Sequence, residues 1–93
     1  MDIAIDERFL EDYEYVPPDV KKVVDKYIRV IVQTGWFPRH ANVHKAKGVD
    51  EEIWIAYITR TKQHFRLLFY LTKDELLFHR VLTHEEMDIW MKT

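Results

Sequence analysis

Residues 65–90 read FRLLFYLTKDELLFHRVLTHEEMDIW, and the fold is decided there. Two β-rich runs, residues 64–71 and 75–82, flank a polar turn carrying Lys73 and Asp74, the pattern of a hairpin. Thr83 and Glu86 then form a T-x-x-E capping box that opens a helix running through Trp90. Arg66, His79 and Arg80 are set into the strands, and His84 begins the helix. A strand made for burial does not normally carry arginine, because burying an unpaired charge costs several kcal/mol. Repeated cations on such strands therefore point to a sheet face that binds anions or works on phosphate.

The turn sets the register. A two-residue or a four-residue loop places Leu71 opposite Leu76, Phe69 opposite Phe78, Leu68 opposite His79 and Arg66 opposite Val81. Alternation then puts Arg66, Leu68, Tyr70, Leu77, His79 and Val81 on one face. The other face takes Phe65, Leu67, Phe69, Leu71, Leu76, Phe78, Arg80 and Leu82. This second face is the greasier and should meet the helices, leaving the Arg66 face partly open. A three-residue loop would slip the pairing by one and bring Arg80 beside Arg66.

Upstream, residues 53–60 form a third β-rich run. Residues 36–50 lack periodicity and read as a loop, with a short strand around 42–44. Val20, Val23, Val24, Tyr27, Ile28 and Ile31 follow helical spacing, which predicts an amphipathic helix over 18–33 that stops at Gly35. Pro17-Pro18 separates it from a helix over 7–16 capped by Asp6. Residues 2–5 alternate as a short edge strand. The fold class is α+β, one domain over 1–93: an antiparallel sheet of about four strands, an N-terminal helical hairpin on one face and a short C-terminal helix, in the order β-α-α-β-β-β-α.

Length and composition agree with this. The 93 residues are 47% hydrophobic and 14% aromatic, so one modest core holds the chain. Without cysteine there is neither a disulfide nor a thiolate zinc site. The five histidines match no zinc-binding spacing, so no metal and no small-molecule cofactor are expected. No long apolar run and no signal-peptide pattern occur, which predicts a cytoplasmic protein without membrane contact. The net charge of −2 conceals a division: residues 1–16 sum to −5, residues 17–66 to +5 and residues 67–93 to −2. A basic middle segment is compatible with a polyanionic partner.

Arg66 is the leading functional candidate, either as a fork of donors on a phosphate or as the partner of a carboxylate from the acidic first helix or the tail. His44, Lys45 and Lys47 lie together in HKAKG and suit phosphate contact or proton transfer. His84 could act as an acid or base, or could simply pack. His79 either belongs to the open anion-binding face with Arg66 or is a satisfied structural histidine. Arg60, Arg80 and Trp90 join Lys45, Lys47 and His79 as candidate RNA-binding residues, with Trp90 a stacker.

The segments HKAKGVDEEIWIAYIT, HFRLLFYL and LLFHRVLTHEEMDIW resemble the RelE/ParE superfamily of type II toxins, with YafQ-like and YoeB-like features. The resemblance spans most of the chain and is best from His44 to Trp90. It implies a metal-independent mRNA interferase that directs the ribose 2′-OH at the adjacent phosphate, on the ribosome, and that is held in check by a cognate antitoxin. Within it, Arg66 matches the strand arginine that stabilises the phosphate. His44 matches the histidine of the H-x-x-x-G element, and His84 matches a C-terminal general-acid histidine. The strand IWIAYIT carries Tyr57 where RelE carries lysines. A second implied reading is a non-catalytic binding module of the same fold, either a gyrase-inhibiting ParE-like protein or an inactive relative.

Overall fold

The computed structural model describes residues 1–48, 52–58 and 64–92. Its elements are β1 (Asp2–Ile5), α1 (Glu7–Tyr15), α2 (Pro18–Thr34), a 3₁₀ turn at Arg39–Ala41, β2 (His44–Lys45), β3 (Ile53–Tyr57), β4 (Phe65–Leu71), β5 (Glu75–Thr83) and α3 (His84–Lys92). The strands form one sheet in the order β1-β5-β4-β3-β2. The α+β expectation holds, with two differences. The sheet has five strands, and it is mixed, because β1 runs parallel to β5 while the other neighbours are antiparallel.

Local chemistry sets the helix ends. The Asp6 carboxylate accepts the Arg8 amide at 2.8 Å and caps α1. Pro17 is extended and Pro18 opens α2, where its missing N–H leaves no hydrogen bond unmade. Gly35 closes α2 at φ 88°, a left-handed conformation that glycine adopts without a Cβ clash, and its N–H donates to the Ile31 carbonyl at 2.8 Å. Val20, Val24, Tyr27 and Ile31 are fully buried against the sheet. Each such side chain contributes about 1.5–3 kcal/mol by leaving water. The Tyr27 hydroxyl stays satisfied by donating to the Tyr57 carbonyl at 2.7 Å.

The sheet separates two apolar clusters. The larger lies under the helical hairpin and includes Phe9, Tyr27, Leu67, Phe69, Leu76, Phe78 and Val81. The smaller fills the face expected to be open. There Ile53, Ile55, Leu68 and Leu82 pack with Met87, Trp90 and Met91 of α3. The C-terminal helix thus covers part of the second face.

The hairpin register corrects the expectation halfway along. Leu71 pairs with Leu76 and Phe69 with Phe78, as the turn requires, but Leu68 then faces Arg80, Leu67 faces Val81 and Arg66 faces Leu82. A β-bulge inserts His79 as an extra residue on β5, and one inserted residue inverts the alternation beyond it. Val81 therefore enters the hairpin-side core, while Arg80 and Leu82 move to the Arg66 face.

Candidate functional site

The bulge sits where β5 loses its outer neighbour. β1 pairs with β5 only as far as Phe78, after which the chain turns at Asp6 into α1. Beyond that point β5 is met by Asp12 of α1 and by the cap residue Asp6, carboxylates in place of a neighbouring strand. Asp12 accepts the Val81 amide at 3.1 Å and both Nε and an Nη of Arg80, at 2.7 and 3.0 Å. This two-pronged bond raises the Arg80 pKa further above its ordinary value. The Asp6 carboxylate accepts the His79 Nδ1–H at 2.5 Å. Burial pushes Asp6 up, but the hydrogen bonds from His79 and the Arg8 amide and the His79 charge outweigh it, and the carboxyl ends below its ordinary range. The His79 ring also packs on Tyr70 and Trp90, with centroids 5.2 and 5.7 Å away.

Arg66 is held differently. Its guanidinium carbon lies 4.1 Å from the centroid of the Tyr57 ring, directly across the β3–β4 ladder, and one Nη donates to its own strand's Phe65 carbonyl at 3.0 Å. Among the described residues no carboxylate pairs with it. The acidic first helix, one source of carboxylate expected for this arginine, takes Arg80 instead. His44, from β2 on the far side of β3 from Arg66, meets the Tyr57 ring in a T-shaped contact at 5.1 Å. The His44 Nδ1 meets the Asn42 carbonyl at 3.0 Å. A carbonyl only accepts, so Nδ1 carries the proton and Nε2 of the neutral ring presents the lone pair. Asn42 stands at φ 48°, a left-handed turn that asparagine tolerates and that aims the chain into β2.

His84 begins α3 immediately after Thr83, inside the capping box in which Thr83 and Glu86 exchange bonds of 3.0 and 3.1 Å. The His84 amide donates to the His64 carbonyl at 2.7 Å, which extends the β4–β5 ladder to the end at which Arg66 lies. Its ring is half exposed, 3.8 Å from Asp88, too far for a hydrogen bond. Arg66, His44 and the start of α3 thus occupy one end of one sheet face.

The other candidates lie apart from this end or outside it. Lys45 pairs with Trp54 on the opposite side of the strand from His44, and forms an exposed 3.2 Å ion pair with Glu52. Lys47 is exposed beyond β2. Trp90 packs in the smaller cluster. Arg60 lies outside the described residues. Four of the basic residues of the middle segment, Lys21, Lys22, Lys26 and Arg29, belong to α2, on the far side of the sheet from Arg66. Among the described residues no group of three or more His, Asp or Glu is placed to hold a metal ion, and no helix is long and apolar enough to cross a membrane.

The sequence reading named Tyr57 on its strand but not its pairing with Arg66, and it did not find Asp12 as the partner of Arg80. The pairing could have been found from the alternation Ile53, Ile55, Tyr57 set against Arg66. Asp12 lies 69 residues from Val81, and no local pattern joins them.

No protein-family model matches the sequence, and no curated protein sequence does. Among solved structures the fold recurs in the RelB-RelE antitoxin-toxin complex of Methanococcus jannaschii, at a TM-score of 0.75 and 17% identity over 91% of this chain and 94% of that one. It recurs in YafQ of E. coli strain BL21(DE3), with a TM-score of 0.73 and 16% identity over 92% and 96%. The YoeB dimer from Staphylococcus aureus gives 0.67 and 16% over 90% and 97%. At these identities the likeness is one of fold, and that fold is the one shared by RelE, YafQ and YoeB toxins.

Proposed function

Starting from the RelE-type toxin fold, we propose that this chain is the toxin of a type II toxin–antitoxin pair, a cytoplasmic, metal-independent endoribonuclease that cuts mRNA on the ribosome. The observation that carries the reading is Arg66: a partly buried guanidinium fixed by an aromatic face, with no carboxylate on it among the described residues, beside a histidine of defined tautomer. Such a group retains its positive charge for an anionic ligand.

In this reading three residues share the chemistry. His44 Nε2 takes the proton of a ribose 2′-OH, and the resulting oxygen nucleophile attacks the neighbouring phosphorus. Negative charge grows on the non-bridging oxygens, where Arg66 stabilises it. The bond to the 5′-oxygen breaks, and His84 supplies its proton. The products are a 2′,3′-cyclic phosphate and a free 5′-OH. The neighbours solved as RelB-RelE and DinJ-YafQ complexes support a cognate antitoxin as the protein partner.

A reconstituted translation reaction read by primer extension tests the proposal. Cleavage by wild type and its loss in Arg66→Ala are expected, whereas cleavage unaffected by the substitution sinks the assignment of Arg66. A second reading, a non-catalytic binding module, is favoured by the engagement of Arg80 and His79 with Asp12 and Asp6. Folded wild-type protein that cuts no mRNA selects it, and gyrase inhibition is then the assay to run.

A further inference from the structure

An arginine on a sheet face needs something to hold its long side chain in one place. A carboxylate does this and cancels the charge at the same time, as Asp12 does for Arg80. An aromatic face attracts the guanidinium through its quadrupole but leaves the charge and the edge N–H donors for a third group. Tyr57 is placed to do this. It lies directly across the ladder from Arg66, with the guanidinium 4.1 Å from its ring centroid, and His44 meets the same ring at 5.1 Å with planes 70° apart. The Tyr57 main chain is in turn pinned by the Tyr27 hydroxyl, from the fully buried core of α2. We propose that Tyr57 is a positioning residue: its aromatic face, and not its hydroxyl or its bulk, sets Arg66 and His44 as one preassembled phosphate-binding unit. This rests on the nuclease reading for its catalytic consequence, but the arrangement of Arg66 on the ring is a property of the free protein.

The experiment has two arms on the full chain. In the first, cleavage kinetics are compared for wild type, Tyr57→Phe, Tyr57→Leu and Tyr57→Met. Loss of the ring should lower kcat about tenfold with KM little changed, while Tyr57→Phe, which keeps the face, restores the rate. In an Arg66→Ala background Tyr57→Leu should cost less than it does in wild type, because only the placing of His44 is then left to lose. In the second arm, NMR reads the Arg66 side-chain protons, which the ring current should shift upfield in wild type and Tyr57→Phe but not in Tyr57→Leu or Tyr57→Met. Active Tyr57→Leu and Tyr57→Met enzymes, or Arg66 shifts unaffected by removing the ring, overturn the proposal. An inactive wild type overturns the nuclease reading instead, and the NMR arm alone then decides whether Tyr57 positions Arg66.

Discussion

Arg66 and Arg80 sit on neighbouring strands and the same sheet face, yet they are built into the molecule in opposite ways. Arg80 is locked to Asp12 by two bonds and serves to fasten α1 to the bare edge of β5. Arg66 rests on Tyr57 with its charge uncancelled by any described carboxylate. Residue type therefore says little here about role, and the neighbour says most of it. A carboxylate turns an arginine into a structural clamp, whereas an aromatic ring leaves it available to a ligand.

The comparison breaks most sharply at Asp12. Asp12→Ala strands the Arg80 charge, about four-fifths shielded from solvent, and orphans the Val81 amide. Chemical denaturation should show a loss of about 3–4 kcal/mol. Replacing Arg80 as well, in Asp12→Ala/Arg80→Met, should recover part of it, because the buried charge is then gone. If Asp12→Ala unfolds at the wild-type denaturant midpoint, Arg80 is no clamp.

Arg66→Ala should show the reverse profile. Stability should change by less than about 1 kcal/mol, since only an exchangeable cation–π contact is lost. Cleavage should fall by roughly 10²–10³, the usual cost of removing one preorganised donor to a developing oxyanion. Destabilisation as large as that of Asp12→Ala would put the two arginines in one class.

Asp6→Ala comes next. It removes both the α1 cap and the His79 partner, and thermal unfolding should report a loss of about 1–2 kcal/mol. The pH dependence has a definite sign. The folded pKa of Asp6 lies below its unfolded value, so the unfolded state binds the proton more readily. The contribution of Asp6 is complete above about pH 4 and is lost as pH falls through the folded value. The gap between wild type and Asp6→Ala should therefore close in acid, and a constant gap from pH 7 to pH 2 contradicts the pairing.

Lys45→Ala is the smallest expected effect. Its ion pair with Glu52 is largely exposed, so stability should move by at most about 0.5 kcal/mol. A larger change would mean that this edge of the sheet is more than a solvated rim.

Much of the architecture was legible because it rests on short-range chemistry. The spacing of Val20, Val24, Tyr27 and Ile31, the Asp6 cap, the Gly35 stop, the Thr83–Glu86 box and the turn at Lys73-Asp74 each involve residues within about a dozen positions, and each is found where the pattern placed it. The leading candidate Arg66 was equally plain, since an arginine within an apolar strand is anomalous wherever it occurs.

What the chain alone determined was thus its periodicities, its caps and the anomaly of Arg66. Tertiary structure decided the rest. The bulge at His79 falls where β1 stops pairing, and β1 lies some 70 residues upstream of the strand it borders. The same folding event hands Arg80 to Asp12 and Arg66 to Tyr57. Before folding both arginines were open to the same acidic segment. The choice between them is a matter of which carboxylate the helix carries to which strand edge, and long-range packing settles that where no local pattern can.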